Sequence, residues 1–329
     1  MQAILAVTIP FFALVLCGYL AAWRHVLPEA AIPGLNIFVL FFALPCMLFR
    51  FGASMPFAQL IDPVLIGIYV LSALLMVFFT IAATWQRDAD SRGVDLKNAA
   101  FGALVAAFPN TGFMGVPLLV ALFHEPAAGP VIGTVLTDLI LTSTLCIAIA
   151  QSHLATGGEA PAHPVAGVLR SLRGAMTNPL PWSIALGALF AAIGLQLPAP
   201  VSQIIKMLGD AATPVALFTI GAVLWRAGQH AHTRTAPRRY LPQALAKLLL
   251  HPALVFALAL AARAGGAPLT DLQITAITLT AALPSAANVA MLAERFSADN
   301  GRIARIILTS TTLSFVSFTS LAWWFGAGR

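Results

Sequence analysis

The sequence predicts an all-α membrane protein of ten transmembrane helices, arranged as two five-helix repeats of opposite orientation, with broken fourth and ninth helices that cross. Three observations favour this fold: ten apolar stretches of helical length, basic residues concentrated in alternate loops, and proline motifs that recur in both halves. Of the 329 residues, 59% are hydrophobic and 9% are charged, whereas about a quarter of the residues in soluble domains are charged. This composition excludes an ordinary soluble domain.

The ten apolar stretches are long enough to span a bilayer, because a hydrocarbon core about 30 Å thick is crossed by roughly 20 helical residues. Only Met1, Gln2 and Ala3 precede the first stretch. Since no basic residue stands there, we expect a retained helix and no signal peptide. The predicted helices are Ile4–Trp23, Ala30–Phe49, Pro63–Thr84, Asn98–Phe123, Gly129–Gln151, Pro179–Gln196, Val201–Trp225, Leu241–Arg263, Leu272–Ala293 and Ile303–Phe325.

The loop charges predict the orientation of the chain. When alternate loops are assigned to opposite sides, all but four of the 18 Lys and Arg residues fall on one side. The exceptions are Arg50, Lys206, Arg263 and Arg329. Because cytoplasmic loops are rich in Lys and Arg, we expect a multi-pass protein of the cytoplasmic (inner) membrane with both termini on the outer, periplasmic side. The same bias accounts for the net charge of +6 without a nucleic-acid partner.

A hydrophilic stretch divides the chain into two halves. Residues 153–177 are predicted to form a cytoplasmic linker between a first repeat, 1–152, and a second repeat, 178–329. The Pro-x-x-Leu-Phe motif at Pro45–Phe49 in the first half recurs at Pro214–Phe218 in the second. Since each half has an odd number of predicted helices, the second repeat is inverted, which is typical of secondary transporters.

A second pair of motifs interrupts the fourth and ninth predicted helices. Proline and glycine weaken a helix at mid-membrane, and matched interruptions in two repeats indicate a binding site. The predicted helix-break residues are Pro109, Gly115 and Pro117 within Phe108–Pro117, and Pro284 within Pro284–Asn288. The predicted substrate-binding residues are Asn110, Thr111, Gly112, Ser285 and Asn288. If the breaks meet, their half-helix N-termini favour an anion; the alternative is that they are kinks in packed helices with hydrogen bonds between them.

Ionisable residues within the predicted spans are candidates for coupling. Asp138 lies in the fifth helix, and Lys247 and His251 lie one turn apart in the eighth. Such residues are costly in a membrane and commonly functional. There are alternatives to a coupling role. The Lys247 alkyl chain could extend so that its ammonium reaches the cytoplasmic surface, and His251 with Pro252 could form a locally bonded kink. The three cysteines lie in apolar stretches and predict neither a disulfide nor a metal site.

The two interruptions resemble those of the auxin efflux carrier family, in the bacterial branch that includes malonate transporters. The similarity rests on Asn110–Leu118 and Pro284–Ala293, with support from Leu35-Asn36 and from Lys247 with His251-Pro252. It covers essentially the whole chain. The resemblance implies a scaffold of helices one, two, six and seven, a moving transport domain, and an organic anion held where helices four and nine cross. The short predicted linker favours a prokaryotic member, since plant carriers often have a long central loop.

The expected function is therefore transport of a small carboxylate, such as malonate, across a lipid bilayer. No enzymatic activity, cofactor or metal is expected; coupling to H⁺ or Na⁺ and a homodimer are compatible with the prediction. One alternative is a sodium-coupled symporter of the bile-acid type. A sodium site would need several oxygen ligands near the break, where helix nine offers only Ser285 and Asn288 besides backbone carbonyls. A remote alternative is an intramembrane enzyme that uses Asp88, Asp90 and Asp95 with magnesium, but the sequence has no second acidic cluster.

Overall fold

Helices form the regular secondary structure of the chain. The computed structural model describes residues 2–54, 62–86, 94–152, 179–229 and 235–327; the predicted linker 153–177 and the acidic residues Asp88 and Asp90 lie outside these ranges. We label the helices α1 (Gln2–Trp23), α2 (Glu29–Ser54), α3 (Pro63–Thr84), α4a (Leu96–Ala107), α4b (Thr111–Phe123), α5 (Glu125–Gln151), α6 (Pro179–Ile193), α7 (Ala199–Gln229), α8 (Leu241–Ala264), α9a (Asp271–Ala281), α9b (Asn288–Arg295) and α10 (Asn300–Trp324).

Seven of these helices, α1, α2, α3, α5, α7, α8 and α10, are long and apolar enough to cross a membrane. Helices α4a, α4b and α6 are apolar but shorter. Large hydrophobic side chains also cover the outer surface: Phe78 is 68% exposed, Val316 65% and Met207 64%. Because such apolar surfaces are stable only against lipid or another protein, the prediction of an all-helical, multi-span membrane protein is confirmed.

Capping side chains determine where several helices begin. The Asp62 carboxylate accepts hydrogen bonds from the Val64 and Leu65 backbone N–H groups at the start of α3, and it also accepts one from the Gln273 side chain at 3.2 Å. Thr270 and Gln273 form a capping box at the start of α9a. These bonds satisfy backbone donors that a helix leaves unpaired, and they join the starts of α3 and α9a.

Four helices contain a π-helical turn in the part of the chain that the structure describes. These turns lie at Val39–Ala43 in α2, Thr111–Gly115 at the start of α4b, Asp138–Thr142 in α5 and Ala246–Leu250 in α8. A π-helical turn is frequent at functional sites. Three of the four contain residues that were predicted to bind or couple: Thr111, Asp138 and Lys247.

Two helix pairs pack with their backbones in direct contact. In the pair α1 and α7, Gly18 lies against the Phe218 carbonyl group and Gly221 lies against the Val15 carbonyl group, so closely that neither position has room for a Cβ atom. Small residues at such crossings permit the van der Waals packing that holds membrane helices together.

The pair α2 and α6 repeats this arrangement. Gly52 lies against the Ile184 carbonyl group and Gly187 against the Phe49 carbonyl group, again with no room for a Cβ atom. The separation in sequence from Gly18 to Gly187 equals that from Gly52 to Gly221. It also equals the separation between the two copies of the Pro-x-x-Leu-Phe motif. The two contacts therefore use positions related by the spacing of that motif.

A buried arginine at the start of α10 links three segments of the chain. Arg302, at the start of α10, is 2% exposed, and its guanidinium donates to the Arg239 carbonyl at 2.9 Å and to the Asn98 carbonyl at 3.3 Å. In addition, the Asn98 side chain accepts a hydrogen bond from the Asp299 N–H at 2.7 Å. These bonds connect the start of α4a to the segments that lead into α8 and α10.

Candidate functional site

The interruptions of the fourth and ninth helices contact each other inside the protein. The Asn110 N–H donates to the Pro284 carbonyl at 2.8 Å, and the Ala286 N–H donates to the Phe108 carbonyl at 3.0 Å. Together they form an isolated antiparallel bridge between Pro109 and Ser285. Non-helical backbone at membrane depth needs partners within the protein, and here each broken helix supplies them for the other.

The interruption of the fourth helix is shorter than the predicted stretch Phe108–Pro117. Only residues 108–110 are non-helical: Gly115 closes the π-helical turn, and Pro117 stands in the first turn of the α-helical segment that follows. Proline is tolerated there because the first N–H groups of a helix have no partner within it. Pro109 and Pro284 therefore lie in the breaks, whereas Gly115 and Pro117 begin the second half-helix.

The predicted binding residues converge at this crossing. Asn110, Thr111 and Ser285 are 1–2% exposed, and Asn288, the first residue of α9b, is partly buried. One side-chain oxygen on each of the four residues is buried without a hydrogen-bond partner. Since most buried polar atoms are hydrogen-bonded and an unpaired one costs about 1–3 kcal/mol, this cluster calls for a ligand or water.

Two small cavities adjoin these unpaired atoms. The first, of about 30 Å³, is lined by Asn110, Thr111, Gly112 and Asn288 together with apolar side chains. The second, of about 10 Å³, is lined by Asn288 from the other side, with Asn36 of α2 and Thr219 of α7. A cavity needs roughly 10–15 Å³ for one water molecule, so this conformation has room for water but not for a dicarboxylate.

The predicted coupling residue Asp138 lies in a buried polar cluster. The Tyr69 hydroxyl of α3 donates to one carboxylate oxygen at 3.1 Å, and the Thr142 hydroxyl donates to the other at 3.3 Å. Asp138, Tyr69 and Thr142 are at most 1% exposed. Sequence reasoning missed Tyr69 and Thr142. A tyrosine in the middle of an apolar span is itself a signal, because its hydroxyl needs a partner when it is buried.

The other two coupling candidates lie beside this cluster. Lys247 and His251 are 0% exposed, and the Lys247 ammonium lies 3.3 Å from the His251 Nδ1 atom. The ammonium donates at 2.5 Å to the carbonyl of Ala281, the last residue of α9a. Lys247 thus does not extend to the surface. A cation at the C-terminal end of a helix is stabilised by the helix dipole, so Lys247 is bound to one side of the break in the ninth helix.

The two clusters form one connected polar region. The His251 ring lies 5.7 Å, between ring centroids, from the ring of Tyr69, whose hydroxyl donates to Asp138. The region therefore extends from α5 and α3, through α8, to the end of α9a. Among the described residues, no group of three or more His, Cys, Asp or Glu side chains could hold a metal ion. The region therefore places three ionisable side chains, those of Asp138, Lys247 and His251, in the interior of the protein.

Comparison with known proteins identifies the class of protein to which this site belongs. The profile of a family described as "Membrane transport protein" matches residues 3–322. The chain belongs to this family. It is therefore a multi-pass membrane protein of a transporter family, and the alternative of an intramembrane enzyme is wrong. Of the acidic residues behind that alternative, Asp95 caps α4a by accepting from the Asn98 N–H at 2.8 Å.

Three relatives span most of the chain. A Rhizobium meliloti protein named "Putative malonate transporter" is 27% identical over 335 residues, which cover 100% of this chain and 98% of the relative. "Uncharacterized transporter YfdV" of Escherichia coli K12 is 22% identical, with 94% and 93% coverage. "Auxin efflux carrier component 8" of Arabidopsis thaliana is 24% identical, with 77% and 80% coverage. The resemblance to auxin efflux carriers and malonate transporters is confirmed.

Proposed function

We propose that this protein carries a small organic anion, a carboxylate such as malonate, across the cytoplasmic membrane by alternating access. The observation that carries the proposal is the crossing of the two helix breaks, where the buried Thr111 and Ser285 hydroxyl groups have no partner and can donate hydrogen bonds to a carboxylate. The Asn110 and Asn288 side chains would contribute through their amide N–H groups, because their oxygens only accept hydrogen bonds. Both half-helices, α4b and α9b, begin at this point, and a helix N-terminus attracts negative charge. The name of the Rhizobium meliloti relative favours malonate within the class of carboxylates.

We further propose that the described helices belong to ten spans in two inverted repeats, 1–152 and 178–329, joined by a cytoplasmic linker, with both termini on the outer side. The paired glycine contacts support this arrangement. In an inverted repeat the first and second helices correspond to the sixth and seventh, so a contact of α1 with α7 corresponds to one of α6 with α2. Both contacts exist, and their glycines are related by the same separation in sequence.

The size of the site supports the proposal of alternating access. A cavity of about 30 Å³ at the crossing cannot admit a dicarboxylate, so solute entry requires the crossing to open toward one side. In the proposed cycle, α1, α2, α6 and α7 form the scaffold. The helices that carry the crossing, together with α3, α5, α8 and α10, move against that scaffold. The backbone contacts within α1–α7 and α2–α6 leave those pairs little freedom to shift.

The Asp138 cluster is the proposed site of coupling to H⁺ or Na⁺. Because the Lys247 ammonium binds the last carbonyl of α9a, a change of charge at Asp138 alters the attraction on a cation that holds one side of the break. Uptake of ¹⁴C-malonate into proteoliposomes, measured with imposed pH or Na⁺ gradients, tests this step. Asp138→Asn should abolish the dependence on the driving ion. A gradient dependence that persists unchanged in Asp138→Asn would contradict the proposed coupling site.

The bile-acid-type symporter gains no support from the comparisons, because the matched relatives reported above carry malonate, auxin or uncharacterised transporter names. The described part of the ninth helix break also offers few side-chain oxygens beyond Ser285 and Asn288. The carboxylate carrier is therefore the function that we retain.

Removal of hydroxyl groups tests the substrate site most sharply. The Thr111 hydroxyl has no partner within the protein, so Thr111→Val should leave stability unchanged. If the hydroxyl binds a carboxylate, malonate affinity should fall by about 10- to 150-fold, since a hydrogen bond to a charged group contributes about 1.5–3 kcal/mol. The matched control is Thr312→Val, because the Thr312 hydroxyl is exposed and bonds only the Leu308 carbonyl of its own helix.

Isothermal titration of purified protein with malonate and other carboxylates measures these affinities. Asn110→Ala and Asn288→Ala should also weaken binding strongly while the protein still inserts into the membrane. If Thr111→Val, Asn110→Ala and Asn288→Ala all bind malonate as tightly as Thr312→Val does, the crossing is not the site for this solute.

A further inference from the structure

A large groove opens on the outer surface of the helix bundle, away from the crossing. It has a volume of about 640 Å³ and lies where the end of α2, the end of α6 and the start of α7 meet. Its walls combine basic, hydroxyl and apolar side chains. The residues that carry the argument are Phe49, Arg50, Ser54, Phe190, Leu195 and Lys206.

The charge of the groove is unbalanced. The Asp210 carboxylate binds Arg50 at 2.6 Å through one oxygen and Lys206 at 2.7 Å through the other. One carboxylate therefore faces two cations, which leaves a surplus positive charge. The side chains of Arg50 and Lys206 are 43% and 56% exposed. Since an arginine has five N–H donors and a lysine three, both retain donors that can point into the groove.

The surface around this charge is apolar. Ile193 at the end of α6 is 63% exposed, and Ile204 and Met207 on α7 are 57% and 64% exposed. Helix α7 has 31 residues, which at 1.5 Å per residue is about 46 Å, longer than a hydrocarbon core of about 30 Å. Its first turns therefore extend to the level of the lipid headgroups, where a basic side chain meets phosphate.

We propose that this groove binds an anionic phospholipid, with the headgroup phosphate against Arg50 and Lys206. One acyl chain lies along the apolar wall that Leu195 and the edge-to-face pair of Phe49 and Phe190 provide, whose ring centroids are 5.4 Å apart. The surplus positive charge selects a lipid such as phosphatidylglycerol over the zwitterionic phosphatidylcholine. A lipid bound in the groove would lie between α2, α6 and α7.

Native mass spectrometry of the full-length protein in detergent tests this site with phosphatidylglycerol and phosphatidylcholine of identical acyl chains. Wild type should retain phosphatidylglycerol more tightly. Lys206→Gln should weaken that binding about fivefold, the effect of one basic residue near an anionic headgroup. Arg263→Gln is the matched control, because Arg263 also lies near a helix end but pairs with Asp271 outside the groove. Equal retention of both lipids by wild type would overturn the proposal.

Two further arms separate the lipid from other occupants. Inorganic phosphate, added at the same concentration as phosphatidylglycerol, should not displace the bound lipid. If phosphate does displace it, the groove is a site for free anions and the lipid assignment is overturned. If a second copy of the chain occupies the groove instead, the protein forms a dimer in the absence of lipid, and Lys206→Gln dissociates that dimer. This result would also overturn the lipid assignment. Leu195→Glu is a second variant that tests the site independently of the folding of Lys206→Gln. It places a carboxylate at an exposed position of the groove wall and should repel the anionic lipid. Unchanged lipid binding by a folded Leu195→Glu variant would contradict the proposal.

Discussion

Replacing Gly221 with alanine tests the backbone contact between α1 and α7. A Cβ atom added at Gly221 would overlap the Val15 carbonyl oxygen. It would also lie 2.6 Å from the Tyr19 nitrogen and 2.9 Å from the Val15 carbonyl carbon. Ordinary van der Waals contacts lie at about 3.5–4.0 Å, so the two helices must separate by more than about 1 Å. Backbone atoms cannot rotate away as a side chain does. Overpacking of this kind costs about 1–3 kcal/mol.

The matched control is Gly67→Ala in the second turn of α3, where no atom lies within 4 Å of the added Cβ atom. Alanine gains up to about 1 kcal/mol over glycine in a helix, and this gain applies to both variants. The difference between them therefore isolates the clash, and we expect Gly221→Ala to unfold about 1–3 kcal/mol more easily. Titration with sodium dodecyl sulfate, followed by circular dichroism, measures the free energy of unfolding. If both variants are equally stable, the close approach of α1 and α7 is not a determinant of the fold.

Three further predictions use other contacts. Arg302→Gln should lower the free energy of unfolding by about 2 kcal/mol, measured by the same titration, because buried carbonyl groups lose their donor; wild-type stability would contradict the role of the buried arginine. Asp62→Ala should lower it by about 1 kcal/mol through loss of the α3 cap, whereas Asp62→Asn should retain most of the stability. Lys247→Met should leave malonate binding in detergent intact but slow uptake into proteoliposomes, since the end of α9a loses its cation; uptake at the wild-type rate would contradict this role.

The sequence alone located the breaks but not their pairing. Pro109 and Pro284 could be recognised because proline cannot donate the backbone hydrogen bond that a continuous helix needs. The bonds from Asn110 to Pro284 and from Ala286 to Phe108 join residues far apart in the chain, and no local pattern predicts such partners. The interruption was predicted to extend to Pro117, but proline in the first turn of a helix has the same local appearance as proline at a break.

The candidate coupling residues could be recognised one by one from the sequence, but their grouping in space could not. Asp138, Lys247 and His251 were conspicuous as ionisable residues in apolar spans. Tyr69 stands out as a tyrosine in an apolar span, but nothing in the sequence indicates that its partner is Asp138, and Thr142 is not distinctive at all. The π-helical turns at Asp138 and Lys247 contain no proline or glycine that would predict them. Which face of a helix meets which neighbour depends on packing across the whole bundle, and that information is absent from any single segment.

The bond from Lys247 to the end of α9a has a consequence for the energetics of transport. Under the proposed repeat, α3 corresponds to α8, yet Pro63–Thr84 contains neither lysine nor arginine, so α3 has no cation that could hold the fourth helix as Lys247 holds the ninth. Exact symmetry would make the outward-open and inward-open states equal in free energy. In the proposed alternating-access cycle, this asymmetry would make the two states unequal, and the empty carrier would rest mainly on one side of its cycle even when the solute concentrations across the membrane are identical.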